Sequence, residues 1–290
     1  MYNEIDYAEK CVEDGEKSLS AISDSYEIIL AEDGSTDGTH ELVQDISKIN
    51  PHVRCTSSDS RLGKGQAITN AIKLSSGKIV AIVDADGVCD QSSLKRLVER
   101  ARDLNGIVVG SRVLGGIADY RPLSRRMASK AYNGIVRLFF GDDIQDHQFG
   151  FKALTRDAVK ALAPYLRETG FAWDTEVIYL ARRFGFDVVE IPIKSMEKRN
   201  GTTSSSKVKI FADGASMARS LVRIKGRVAG LSHIEGRTSK QGQPLLAFTA
   251  SLPTILPRPT GLVFELLKSS KSSGVFAISN IFLNQYFSNR

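Results

Sequence analysis

An α/β fold, with a mostly parallel sheet covered by helices on both faces, follows from three features of this 290-residue sequence. Short β-branched runs alternate with amphipathic segments over more than a hundred residues, as strand–helix–strand units do. Two of the strongest apolar runs end in acidic turns. Composition is that of an ordinary globular chain, 42% hydrophobic, 25% charged and 8% aromatic, which excludes wholesale disorder, a collagen and a coiled coil.

YEIILAEDG (26–34) predicts a buried strand, and DGTHELVQDISKI (37–49) the amphipathic helix after it, with Ser35, Thr36 and Asp37 available as caps. A short strand near His52–Thr56 precedes a GKG turn that opens a helix over Gly65–Leu74. KIVAIVDADG (78–87) predicts a second apolar strand, SSLKRLVERARD (92–103) a serine-capped helix and GIVVGSR (106–112) a third strand. Helices are expected at about 124–140 and 174–184, then the strand DVVEIPI (187–193) and the basic Gly/Ser/Thr-rich loop MEKRNGTTSSSK (196–207). In KIFADGASMARSLVRIKGRV, Ile210, Met217, Leu221, Ile224 and Val228 fall near one helical face. Beyond about 230 the chain turns rich in Ser, Gly, Pro and Lys and loses periodicity, so 229–290 is expected to be a loosely packed basic extension of a 1–228 domain.

The net charge of +6 is unevenly distributed. From Glu190 onward there are 15 Lys/Arg against 5 Asp/Glu, leaving 24 against 28 before it. A basic second part suits an anionic partner or a solvated basic surface. Nucleic acid is disfavoured, because no aromatic–basic platform accompanies the charge. Cys11, Cys55 and Cys89 lie far apart without a CxxC pair, which suits a reducing cytoplasm better than a disulfide framework. The apolar stretches LLAFTASLPTIL (245–256) and GVFAISNIFL (274–283) are short of the roughly 20 residues a spanning helix needs, so a soluble protein or one peripheral to a membrane is expected.

In an open α/β sheet, ligands bind beyond the carboxyl ends of the strands, where EDGSTDG and DADG both fall. Two carboxylates converging at a strand end, Asp84 and Asp86, suit a hard cation such as Mg²⁺ or Mn²⁺, which neutralises a diphosphate. Asp33 reads as a hydrogen-bond acceptor for a nucleobase or ribose. RLGKGQA (61–67) lacks phosphate-loop spacing, yet Lys64 between glycines at a helix start can meet an anionic or base-bearing ligand.

YNE (2–4), EDGSTDGT, RLGKGQA, DAD, GSR (110–112), DHQFGFK (146–152), WDTE (173–176) and an R-N-G…SSSKV loop occur in the order found in family 2 glycosyltransferases. The chain resembles most their dolichyl- or polyprenyl-phosphate sugar synthases, over about residues 2–225, with a slight leaning to the glucosyl branch over the mannosyl one. The resemblance implies a GT-A fold, a nucleotide-sugar donor of the UDP-glucose or GDP-mannose type, a divalent metal and transfer of a hexose with inversion. It places Tyr2, Glu4, Asp33 and Asp37 around the nucleoside, Asp84 against the donor and Asp86 on the metal; of the adjacent Asp146 and His147, the carboxylate Asp146 is the one read as standing near the metal. It also places Arg199 and Lys207 in a loop that closes on the donor phosphates, and Arg121, Arg125 and Ser129 on the acceptor phosphate. Asp174 stays open between a base for a hydroxyl acceptor, an orienting carboxylate for a phosphate acceptor, and a helix N-terminal charge. His147 is either solvated or a ligand, and Phe171 and Trp173 either line the sugar or fill the core.

The sequence departs from that family in one respect. Members carry an apolar strand before the tyrosine-asparagine-glutamate motif, central in the sheet, whereas here that motif is residues 2–4. The sheet is therefore expected to lack its first strand, which leaves open a truncated, non-catalytic nucleotide-binding form. A transferase acting on a polysaccharide or other hydroxyl acceptor is the other alternative. The basic 207–227 segment can lie on a membrane interface or pack against the sheet.

Overall fold

The computed structural model describes residues 1–84, 91–116, 123–193, 210–231 and 274–279. Helix α1 (Ile5–Ser20) is followed by β1 (Ser25–Ala31), α2 (Thr39–Ile49), β2 (Val53–Thr56), α3 (Lys64–Leu74) and β3 (Ile79–Val83). Then come α4 (Gln91–Arg102), β4 (Gly106–Ser111), the single turn α5 (Arg112–Gly115) and α6 (Leu123–Phe140). The chain continues through β5 (Phe151–Thr155), α7 (Arg156–Leu162), α8 (Trp173–Arg183), β6 (Asp187–Pro192), α9 (Ile210–Ala229) and β7 (Gly274–Ser279). The seven strands form one sheet in the order β2-β1-β7-β3-β5-β4-β6.

Only β5 runs antiparallel to its neighbours among these strands. β1, β3 and β4 are near-continuous apolar runs because both their faces are covered. Their side chains divide between two cores. Ile29, Val80, Ile82, Ile107 and Val109 meet α3, α7 and α8 through residues such as Ile68, Ile72, Val159 and Val177. Leu30, Ala81, Val108 and Ala153 meet α1, α2 and α4 through Val12, Val43, Leu94 and Leu97.

The expected gap in the sheet is filled from the other end of the chain. β7 lies between β1 and β3, parallel to both, with Ala277 opposite Ile28 on one side and Ala81 on the other. Its last residue, Ser279, stands opposite Leu30 and Val83, at the sheet edge where the acidic turns begin. Immediately beyond, the Met1 carbonyl accepts the Asp33 N–H at 2.8 Å, and the Met1 amino group meets the Ala31 carbonyl. β7 and Met1 thus follow one line along β1, and the slot runs directly into Tyr2-Asn3-Glu4. This corrects two expectations: the sheet is not left open, and residue 228 does not divide the fold from a tail. The remainder of 232–290 lies outside the described residues.

α9 packs against α6 and α8 rather than projecting from the fold. Leu221, Ile224 and Val228 are buried, while Arg223 and Arg227 pair with Glu168 at 3.0 and 3.1 Å. Arg227 also pairs with Glu176. Part of the basic excess is therefore matched internally. Among the described residues no helix is long and apolar enough to cross a membrane.

A proline inside a doubly flanked strand removes a ladder donor and forces its neighbours apart. Ala277→Pro is expected to lower stability by about 2 kcal/mol or more, read as an earlier urea midpoint. An unchanged midpoint would show that β7 does not hold the sheet together.

Candidate functional site

At the carboxyl edge of β1, the first residues of the chain are stitched to the acidic turn. Asn3 N–H donates to Ser35 Oγ at 2.9 Å, Thr36 N–H to Asn3 Oδ1 at 2.8 Å, and Glu4 N–H to Thr39 Oγ1 at 2.8 Å. Asp37 accepts from Thr39 N–H at 3.0 Å and from Ile5 N–H at 3.3 Å, so it ties the starts of α1 and α2 together. Tyr2 lies under the Arg61 guanidinium, 4.3 Å from its ring centre. Tyr2, Glu4, Asp33 and Asp37 are thus gathered in one place.

Asp33 does something more specific there than its sequence suggests. It is fully buried, and its carboxylate accepts from Leu62 N–H at 2.8 Å and Gly63 N–H at 3.1 Å. It therefore clamps the LGKG turn to the end of β1. Burial pushes its carboxyl above the usual range, against the pull of those two amide hydrogen bonds. Gly63 adopts φ +105°, and a Cβ there would lie 2.4 Å from the Thr169 carbonyl oxygen. Glycine is required at the point where the turn passes over the loop before α8.

That turn delivers Lys64 into the interior. Its ammonium is buried and lies 3.2 Å from Asp84 Oδ1 and 3.4 Å from Asp174 Oδ2. Asp174, 1% exposed at the start of α8, gives its other oxygen to Lys152 of β5 at 2.6 Å. The result is a run of alternating charges, Asp84–Lys64–Asp174–Lys152, leading from the sheet edge into the core. Burial alone would raise the Asp174 carboxyl, but the Lys152 and Lys64 charges hold it below the ordinary carboxylate value. Burial likewise opposes the charge on Lys64, yet Asp174 and Asp84 keep its ammonium above the ordinary lysine value.

Asp84 closes β3, its N–H donating to the Gly150 carbonyl at 2.8 Å. A Cβ on Gly150 would sit 1.9 Å from the Asp84 carboxyl carbon, so the carboxylate rests directly on bare backbone. Asp86, its partner in DAD, lies outside the described residues, as do Arg121, Arg199 and Lys207. Two carboxylates at one strand end are the oxygen donors a hard divalent cation takes. Asp146 is differently engaged. Both its oxygens accept from Arg112, Nε and Nη2 each at 2.8 Å, and a cation there would have to displace that fork. Burial raises the Asp146 carboxyl, and the Arg112 hydrogen bonds and charge bring it net below the usual range. Among the described residues, no three His, Cys, Asp or Glu side chains gather as a metal site.

Neither reading of His147 fits: its ring is buried between Asp142, 2.9 Å from Nε2, and Asn133, 3.1 Å from Nδ1. Trp173 is core, fully buried, its indole N–H donating to Thr69 Oγ1 at 2.9 Å, whereas Phe171 is 38% exposed. Arg125 and Ser129 fall on α6. That helix is tied to the site by Tyr132, whose hydroxyl pairs with Thr175 beside Asp174 at 2.8 Å. Arg112 and Lys152 were not singled out from sequence, although each stands inside a motif that was quoted, GSR and QFGFK. A lysine in the otherwise apolar FKALT is the signal that pointed to a buried partner.

The glycosyl transferase family 2 model matches residues 1–163. The glycosyltransferase AglD of Haloferax volcanii is 33% identical over 269 residues, covering 91% of this chain and 42% of that protein. The dolichyl-phosphate beta-glucosyltransferase of Dictyostelium discoideum is 31% identical over 221 residues, covering 73% of this chain and 66% of that protein. The chain thus spans less than two thirds of either relative. Among solved structures, glucosyl-3-phosphoglycerate synthase of Mycobacterium tuberculosis with Mn²⁺, UDP-glucose and phosphoglyceric acid aligns at TM-score 0.53 and 19% identity, over 79% of this chain and 77% of that one. The mannosyltransferase of Pyrobaculum calidifontis with GDP-mannose and Mn²⁺ aligns at 0.52 and 19%, over 79% of this chain and 62% of that one. These two establish the fold that the resemblance implied, GT-A.

Two outcomes test the geometry itself. Gly150→Ala is expected to cost about 1–3 kcal/mol by overpacking against Asp84, while Gly134→Ala, on α6 with nothing within 4 Å, should be neutral or slightly stabilising. Equal melting temperatures for the two variants would contradict the contact. Glu168 is pushed up by burial but held net below its ordinary 4.5 by hydrogen bonds from Arg223, Ser220 and Arg227. A carboxyl lowered in the fold contributes stability above its unfolded value and loses it as pH falls through the folded one. The stability deficit of Glu168→Gln should therefore be full above about pH 4.5 and shrink below it in urea titrations; a deficit that grows on acidification would contradict the pairing.

Proposed function

The chain belongs to glycosyl transferase family 2, and from that premise we propose that it moves a hexose from a nucleotide-sugar to a dolichyl- or polyprenyl-phosphate acceptor with inversion. One observation carries the choice of acceptor: Asp174 is sealed between Lys64 and Lys152, with one oxygen facing each. A hydroxyl acceptor needs a base with an accessible lone pair and a pKa near the working pH. Asp174 is held ionised, paired and out of contact with solvent, which suits an orienting carboxylate and not a base. A lipid phosphate is already an anionic nucleophile and needs only positioning. Arg121, Arg125 and Ser129 are the residues assigned to it, the latter two on α6. The names of the Dictyostelium relative and of its counterpart in Saccharomyces cerevisiae, both dolichyl-phosphate beta-glucosyltransferases, support a glucosyl donor.

On the donor side, Tyr2, Glu4, Asp33 and Asp37 frame the nucleoside. Asp33 contributes by fixing the turn whose lysine, Lys64, lies against Asp84. Asp84 and Asp86 would hold a divalent cation, Mg²⁺ or Mn²⁺, which when bound neutralises charge on the leaving diphosphate. Arg199 and Lys207 add positive charge where the diphosphate departs. Lys64, 3.2 Å from Asp84 Oδ1, holds that carboxylate in place, so it needs no reorganisation during transfer. The acceptor's lipid tail implies peripheral contact with a membrane.

The direct test supplies labelled UDP-glucose, Mn²⁺ and dolichyl phosphate to the purified chain and follows label into the organic phase. Metal-dependent extraction of label is expected; label that stays aqueous with both UDP-glucose and GDP-mannose overturns the reading. Arg125→Ala should raise the acceptor KM by about tenfold or more and leave the donor KM within about threefold. Equal effects on both substrates would remove Arg125 from the acceptor site. Asp86→Ala should abolish metal-dependent thermal stabilisation by UDP-glucose; unchanged stabilisation would remove it from the metal site.

A further inference from the structure

Lys152 occupies the middle of β5, and its neighbours Phe151, Ala153 and Leu154 are all buried. An ammonium held in such surroundings is costly unless every donor is matched. Here each one is. Lys152 Nζ donates to the His147 carbonyl at 2.8 Å, the Phe149 carbonyl at 2.7 Å and Asp174 Oδ1 at 2.6 Å. Three donors meet three acceptors.

Those partners lead to both sides of the proposed reaction. The His147 and Phe149 carbonyls belong to the turn entering β5, whose Gly150 bonds the Asp84 N–H and backs the Asp84 carboxylate. Asp174 leads to the same carboxylate by the other route, through Lys64. The turn is also tied to α6, because Asn133 Oδ1 holds the His147 ring at 3.1 Å. Thr175, next to Asp174, holds Tyr132 of α6 at 2.8 Å. Lys152 is fully buried, with no surface open to solvent.

We propose that Lys152 is a positioning residue of the transfer reaction, its ammonium fixing Asp84 on the donor side and helix α6 on the acceptor side in one register. The proposal rests on the functional reading above, which makes Asp84 a donor contact and α6 the acceptor helix. It does not follow from family membership alone, since a charge buried for packing would serve the fold equally well without affecting the distance between the two substrates.

The test compares the full chain with Lys152→Met and Lys152→Ala, using UDP-glucose, Mn²⁺ and dolichyl phosphate. Activity is expressed per folded molecule from the circular dichroism of the same samples. Lys152→Met keeps the length of the side chain and leaves Asp174 paired with Lys64. Its kcat is expected to fall about 10²-fold, the effect of a small misplacement of reacting groups, while the UDP-glucose affinity by calorimetry stays within about threefold. Lys152→Ala opens a space beside Asp174, and added methylammonium should restore part of its kcat without affecting the parent. A lysine with a purely structural role would lower the folded fraction and leave kcat per folded molecule unchanged, and that result overturns the proposal. So does a kcat loss matched by an equal loss of donor affinity, or an Ala variant that no amine rescues. A parent chain with no transfer activity overturns the functional reading and this proposal together. An active parent with an equally active Lys152→Met overturns this proposal alone.

Discussion

The ion pairing at Asp174 is the constraint on which the rest of the site depends. Burying one carboxylate between two ammonium groups is tolerable only when geometry and hydrogen bonding are complete. That demand recruits much of the surrounding structure. Lys64 must enter from the LGKG turn, so Asp33 clamps the turn's backbone and Gly63 lets it pass over the loop before α8. Lys152 must have three acceptors, so the turn before β5 presents two carbonyls to it. That turn needs its own support, which His147 finds in Asp142 and Asn133. The charges that make the core costly are the ones that fix Asp84 at the mouth of the site.

A second constraint is the centre of the sheet. Asp33 and Asp84 end strands that do not touch each other, because β7 lies between β1 and β3. The spacing of the two acidic turns, and so the width of the proposed donor site, depends on a strand from the far end of the chain. The same geometry places Tyr2-Asn3-Glu4 where a chain leaving that strand would continue. A strand flanked on both sides contributes two ladders and two buried faces, so its removal would expose the cores on which α1, α3 and α4 pack.

Much of this was legible in the sequence where local pattern and tertiary role agree. The strands at 25–31, 53–56, 79–83, 106–111 and 187–192 and most helices lie where periodicity put them. The acidic turns sit at the sheet edge that the topology of such folds assigns to ligands. Five elements escaped, the single turn α5 and the short helix α7 among them. α1 buries Ala8, Val12 and Leu19 at spacings of four and seven, but dense charge around them hid the stripe. β5 was masked by Lys152, which breaks the apolar run that defines a buried strand. β7 lies in a stretch whose neighbours gave no periodic signal, and its placement depends on a slot formed by β1 and β3, whose paired residues lie 196 to 249 positions away. The state of Asp174 was undecidable for a similar reason. Whether a carboxylate is a base or a buried anion depends on what faces it in space, and Lys152 lies 22 residues away on another element.

The central claim is that this site suits an acceptor that arrives already ionised. It is tested most directly by offering the chain two acceptors with the same lipid tail, a polyprenyl phosphate and the corresponding polyprenol, with labelled UDP-glucose and Mn²⁺. The account predicts label in the organic phase with the phosphate and none above background with the alcohol. Transfer to the alcohol at a comparable rate would require a base that the sealed Asp174 cannot supply, and would contradict the account.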